Sequence, residues 1–281
     1  MAFGRSFWRE TRASYAFVER NINLIKRYWG WEVVWLIYSI VNALSITFIG
    51  KAVGAITGQE FDQATINATI LYLIVGTLVW HYLAVVFDCI AESVQWERWE
   101  GTIEYTFMAP ISRLTHMLGT TIFAIFWGLF HTGIILAFVA VFFQISLENA
   151  NFLGATVILL TGSISFIGLG IVAAVLPLLF PERGAQMTNI VKATILLVSG
   201  VYYPISVLPT WMQPLASVSP ATYVLEGMRR ALQNNAGPLD LWASYLLPLL
   251  GSGLLLVPFG LWIFLRGEEY AKRTGRLKRN G

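Results

Sequence analysis

The chain has 281 residues, 56% of them hydrophobic and only 12% charged, about half the charged share of an ordinary globular protein. That composition excludes a water-soluble fold. The formal net charge of +3, from 19 basic and 16 acidic residues, reads as membrane orientation and gives no reason to expect nucleic acid as a partner.

Six windows contain no Asp, Glu, Lys or Arg: 33–50, 63–87, 114–147, 149–181, 193–225 and 241–265. A hydrocarbon core about 30 Å thick takes about 20 apolar helical residues to cross. Each window supplies one crossing, the first only barely. The expected fold is therefore all-α and integral to a membrane, with six transmembrane helices in a single membrane domain over residues 1–281.

Ahead of the first window, Phe3, Phe7, Tyr15, Val18, Ile22 and Ile25 recur at helical steps, while Arg5, Arg9, Arg12, Glu19 and Arg20 fall mostly elsewhere around the wheel. This predicts an amphipathic interfacial helix over 4–28, with its basic residues meeting anionic lipid. No cleavable signal peptide is visible. Span 1 (about 31–50) carries Ser39, Asn42 and Ser45 at three-residue steps, a polar stripe expected to face protein or a pathway.

Span 2 (about 66–90) ends with His81, Asp88 and Glu92, and it holds the only cysteine, Cys89, which has no intramolecular disulfide partner. Span 3 (about 114–143) contains His116 and His131. Span 4 (about 152–180) is rich in small residues, Gly154, Gly162, Ser163, Ser165, Gly168 and Gly170, which let helix backbones approach.

The fifth window is too long for one crossing and is broken by Pro204, Pro209, Pro214 and Pro220, so span 5 is placed at about 187–206, with Lys192 snorkelling from its edge. Ser219-Pro220 suits an N-cap and a first helical position, predicting a helix from 220 to 233. Trp211 and Tyr223 point to a segment that dips into the interface or re-enters the bundle. Span 6 (about 240–265) is expected to be capped by Asp240 and bent near Pro248 or Pro258.

Lys and Arg near short loops favour the cytoplasmic side. Six basic residues precede span 1 and six follow span 6 (Arg266, Lys272, Arg273, Arg276, Lys278 and Arg279), so both termini are expected in the cytoplasm. Arg98, Arg113 and Arg183 add to that side, against Lys51, Arg229 and Arg230 opposite.

Reactive constellations are missing. There is no G-x-x-x-x-G-K-[ST] phosphate loop, so the chain is not expected to bind ATP or to act as an enzyme by itself. His81, His116 and His131 have neither the spacing nor the cysteine company of a metal site, and no cofactor or metal is expected. Carboxylates for a proton or sodium relay are nearly absent from the spans.

The stretch between spans 2 and 3 is the informative one. It mixes Glu97, Arg98, Glu100, Glu104 and Arg113 with Trp96, Trp99, Tyr105, Phe107 and Met108. Such a mixture fits a docking surface with aromatic anchors, and equally a connecting helix anchored on lipid by its tryptophans. Gly101 is expected to interrupt the helix, Thr102 to cap the next turn, and Pro110 to stop it.

Glu100-Gly101-Thr102-Ile103-Glu104, followed by Ala109-Pro110-Ile111-Ser112-Arg113, resembles the E-G-T-L-E … T-P-[LIV]-S segment of type-2 ABC transporter permeases, the family of drug, polyketide and polysaccharide exporters. A second stretch is similar to that family's region after span 5: Ser199-Gly200-Val201-Tyr202-Tyr203-Pro204-Ile205, Leu208-Pro209, Ser219-Pro220-Ala221-Thr222-Tyr223 and Glu226-Gly227-Met228-Arg229. The resemblance covers about residues 20–266. Ala109 departs from it, standing where the family often has threonine.

The resemblance implies a permease subunit in the inner (cytoplasmic) membrane, paired with a second permease, identical or homologous, and with two separate ATPase subunits that hold ATP and Mg. It places a coupling helix at about Glu97 to Phe107, with Glu97, Arg98, Glu100, Gly101, Thr102 and Glu104 facing the ATPase, and a second contact at Glu182 and Arg183. It also implies paired extracytoplasmic helices over 203–235. Asn42, Ser45, Ser199, Tyr202 and Tyr203 are the candidate linings of the path. The expected cargo is amphipathic, hydrophobic or lipid-linked, with polysaccharide as the alternative.

Overall fold

The computed structural model describes residues 2–58, 61–143, 150–275 and 277. Tail charges Arg276, Lys278 and Arg279, and the side chains of Phe3, Arg5 and Phe7, lie outside what is described. Helix makes up 86% of the chain and no strand occurs among the described residues, so the all-α class holds.

Among the described residues, five helices are long and apolar enough to cross a membrane: α2 (Trp29–Lys51), α4 (Gln63–Ala91), α7 (Arg113–Phe143), α8 (Phe152–Leu179), and the run Pro238–Arg273. They match expected spans 1, 2, 3, 4 and 6. Preceding them, α1 (Ala2–Arg27) fills the expected amphipathic segment, and a short α3 (Val53–Thr57) follows α2. Between α4 and α7 lie α5 (Ser93–Glu100) and α6 (Ile103–Met108).

Expected span 5 is shorter than its window allowed. Here α9 (Gly184–Val198) has 15 residues, about 22 Å of helix against the roughly 30 Å of a hydrocarbon core. Gly200 at φ 67° turns the chain out of the helix, and Pro204 prevents its resumption. The chain then forms α10 (Gln213–Val218) and α11 (Pro220–Gln233), the latter with the boundaries that Ser219-Pro220 implied.

Ser219 does not cap through its side chain; its hydroxyl pairs with that of Ser199 at 2.9 Å, fixing the start of α11 to the end of α9. From there α11 runs along the first half of α8, where Val224 packs on Gly162 and Ile158 on Gly227, and ends beside Asn151. Thus α11 sits against the bundle, whereas α10 buries only Ala216. The expected segment that dips or re-enters packs its second helix along α4 and α8.

The last run opens with α12 (Pro238–Leu241), passes through a π-helical turn at Trp242–Leu246, and continues as α13 (Leu247–Arg273). Asp240 contributes from the third helical position, accepting a hydrogen bond from the Gly237 amide at 2.9 Å.

At the centre stands α8, packed by α4, α9, α11 and α13. Lipid gives no hydrophobic reward for joining two apolar helices, so close van der Waals fit must do it. A Cβ added to Gly168 would lie 2.6 Å from Leu256 Cβ, and Ser165 donates to the Leu249 carbonyl at 2.9 Å, so the small-residue stripe is a packing seam. Lys192 does not snorkel free: its ammonium holds both Asp88 oxygens, at 2.8 and 2.6 Å, tying α9 to α4.

Candidate functional site

The helix over Ser93–Glu100 ends because Gly101 adopts φ 74°, a left-handed conformation that costs other residues about 1–2 kcal/mol. Pro110 follows Met108 and keeps α6 short. The result is a two-helix elbow with two unlike faces. Trp96, Trp99, Glu104, Tyr105 and Met108 are exposed on one, with Tyr105 at 78% and Met108 at 82% open. On the other face, Val94, Ile103 and Phe107 are buried in the core.

Polar bonds fasten the inner face to four helices. Glu97, 1% exposed, accepts through one oxygen from Arg20 of α1 at 2.8 Å and from His116 of α7 at 3.0 Å. Burial pushes its carboxyl up, but the hydrogen bond from His116 and the adjoining charges outweigh this, holding it below the usual carboxylate range. Arg20 also donates to the Thr102 hydroxyl at 3.0 Å, and Tyr28 donates to Glu100 at 3.0 Å.

Arg98 donates to the carbonyl of Leu178 at 3.0 Å, satisfying one of the unpaired carbonyls at the end of α8. Arg113 closes the other side. Its guanidinium pairs with Glu268 of α13 at 2.8 Å, caps the α6 carbonyls of Thr106 and Phe107 at 3.0 and 2.7 Å, and lies 4.4 Å from the Phe107 ring.

Further along α1, Glu10 accepts from Ser112 and Thr115, Ser14 donates to the Thr115 carbonyl, and Phe17 lies 4.6 Å from the His116 ring. Two expectations change here. Arg20 was placed toward anionic lipid but is turned inward, and Thr102 occupies the N-cap position without capping, since its hydroxyl is used by Arg20.

The other candidate positions divide. Glu182 and Arg183 are exposed in the turn before α9. Glu97 and Arg98, expected to face a partner, are buried within this chain. Asn42 and Ser45 are exposed on α2, and Tyr202 and Tyr203 are half-buried. Ser199, at 1% exposure, is enclosed by Ile195 and Ser219 and does not face an open path.

Arg229, counted from the sequence only as a far-side charge, is also drawn inward. It donates to the Gly200 and Val201 carbonyls at 3.2 and 2.9 Å and lies 3.6 Å from the Tyr72 ring centre. The sequence carries no local sign of this, because the turn that frees those carbonyls lies nearly thirty residues upstream.

This elbow lies within residues 13–232, which match the family model described as ABC-2 type transporter. The chain belongs to the ABC-2 type transporter family. As an ABC-2 permease it is a multi-pass transmembrane transport protein, and an ABC-2 membrane domain is a permease domain without an ATPase site of its own. Permeases of this kind typically pair with ATPase subunits. Comparison of this permease with curated proteins finds no individual match.

Proposed function

We propose that this permease is the membrane subunit of an ATP-driven exporter in the inner (cytoplasmic) membrane, with both termini in the cytoplasm. It pairs with a second permease, identical or homologous, and with two separate ATPase subunits that hold ATP and Mg. The observation that carries this reading is the two-faced elbow. Its exposed aromatic and acidic face offers anchors to a partner, while its inner face is fastened to α1, α7, α8 and α13.

In this reading Trp99, Glu104, Tyr105 and Met108 meet the ATPase, Glu100, Gly101 and Thr102 set the elbow's shape, and Glu182 and Arg183 form a second contact. Glu97 and Arg98 act as fasteners that pass displacement on to α1 and α8. Closure of the ATPases on nucleotide would push the elbow and tilt the bundle from inward-open to outward-releasing. The sixth crossing is completed by α9 and α11 together, joined at Ser199 and Ser219. Cargo passes between the two permeases beside α2 and α9, near Asn42, Ser45, Tyr202 and Tyr203. The scarcity of charge along those faces supports an amphipathic, hydrophobic or lipid-linked molecule.

The test is to purify the tagged chain, identify what accompanies it, and measure transport with the whole complex. An accompanying protein with a phosphate loop is expected, and both Glu100→Ala and Gly101→Pro should lower ATP-driven export with little loss of membrane insertion. Full transport by both variants removes the docking role. Transport without nucleotide replaces the exporter with a channel or carrier.

A further inference from the structure

A cavity of about 630 Å³ opens between α1, α2, the end of α4, α5 and α7. It lies on the α1 side of the elbow, where Trp96 and Trp99 border it. Its size falls within the range of small-molecule sites. Tyr28, Trp31, Trp96, Trp99, Phe123 and Trp127 form aromatic walls, and the Trp99 ring contacts those of Tyr28 and Trp96.

The polar lining is one-sided. Four carboxylates, Glu32, Glu92, Glu97 and Glu100, face it, against one lining cation, Arg20, with Arg27 reaching Glu100 only at 3.8 Å from outside. Three buried atoms of the lining have no hydrogen-bond partner: the second Glu97 oxygen, the Gln95 side-chain oxygen and His116 Nδ1. The first two can only accept. His116 spends its Nε2 proton on Glu97.

Unpaired buried acceptors are costly, and a few per structure already call for a partner. A water-filled site would satisfy the acceptors but would gain nothing from the aromatic walls. A ligand anion would meet the Glu97 and Glu100 carboxylates. The group that answers every feature is an organic cation with N–H donors on an apolar stem, its charge over the indole faces and its protons on Glu97 and Gln95.

We propose that this cavity is a binding site for an amine-bearing amphiphile, held at the joint between α1 and the elbow. Because it bridges Arg20 of α1 and Tyr28, just beyond its end, to α5 and α7, occupancy tightens the joint that Glu97 makes. The amine has two sources, a free amphipathic cation or the headgroup of an aminophospholipid, and both present the same chemistry.

Cys89, the chain's only cysteine, lines this cavity and reports on it. The purified permease in phosphatidylglycerol nanodiscs is exposed to a methanethiosulfonate reagent carrying an ethylammonium group, in the presence of phenethylammonium or its neutral isostere phenethyl alcohol. The same titrations are repeated by calorimetry, so a sluggish thiol does not leave the matter open.

Phenethylammonium should protect Cys89 and release binding heat, and phenethyl alcohol should do neither. Gln95→Leu, which leaves the Arg20–Glu97–His116 cluster in place, and Trp127→Leu should each weaken binding by about tenfold, the loss of roughly one good contact to a desolvated cation. If phosphatidylethanolamine added to the discs protects Cys89 by itself, the source is a lipid headgroup; if only the soluble amine does so, the source is a free cation. Equal effects of amine and alcohol, or binding unchanged in both variants, would overturn the assignment. No ATPase is present in this assay, so its failure leaves the exporter reading untouched.

Discussion

Removing the charge of Glu97 should loosen α1 from the rest of the protein, and the size of the effect can be worked out from the contacts. One Glu97 oxygen serves Arg20 at 2.8 Å and His116 at 3.0 Å. Hydrogen bonds to charged groups contribute about 1.5–3 kcal/mol each. The Arg20 side chain is 28% exposed, so solvent screening puts its share near the lower limit, about 1.5 kcal/mol. Arg20→Met and Glu97→Gln each lose that share, and the double variant loses it only once. A double-mutant cycle on the hydrogen-exchange protection of α1 amides should therefore give a coupling of about 1.5 kcal/mol, slightly more than tenfold in exchange rate. The pH dependence has a fixed sign. Because Glu97 is held below its ordinary value, its contribution is present above that value and disappears only as pH falls through the lowered one. Additive single-variant effects, within about 0.5 kcal/mol, would refute the claim that this bond fastens α1.

Gly119 lets α7 approach α1, since an added Cβ would sit 2.6 Å from Phe17 Cβ; Gly119→Val should raise α1 exchange without altering exchange in α8 or α13. Arg229→Leu leaves the Gly200 and Val201 carbonyls without their donor and should cost about 2 kcal/mol of thermal stability, with Arg229→Lys recovering only part of it. Burial, aided by the neighbouring Asp88 charge, raises the Glu92 carboxyl to about 7. A raised value means that the stability linked to this group is present below the ordinary carboxylate value and is lost as pH climbs toward about 7. Glu92→Gln should therefore be more stable than the parent at pH 8 by at most about 3 kcal/mol, and the gap should close below pH 5; a gap independent of pH would refute this.

What could be read in the residues was whatever depends on neighbours along the chain. The charge-free windows gave five crossing helices because hydrocarbon length is a local requirement, and Ser219-Pro220 gave the start of α11 because proline fixes its own φ. Gly101 was legible for the same reason. What escaped depends on partners far away in sequence. Arg20 and Glu97 are 77 residues apart, Lys192 and Asp88 are 104, and Arg113 and Glu268 are 155. No periodicity joins such pairs, so an inward-turned arginine and a lipid-facing one look alike. The shortness of α9 escaped for a different reason: its window is apolar past the helix end, and hydropathy does not register that a glycine at φ 67° has turned the backbone aside.

The fastening of the elbow has a mechanical corollary. A load applied to its tryptophans reaches the first helix through Arg20, the middle of the bundle through the carbonyl of Leu178, and the last helix through Glu268, so no slack exists there to absorb it. Compliance must reside where the chain is thinly supported, and α2 is that place, with only 17% of its apolar stretch covered by its own protein. Of the five long apolar helices it is the least covered, with the run to Arg273 following at 22%.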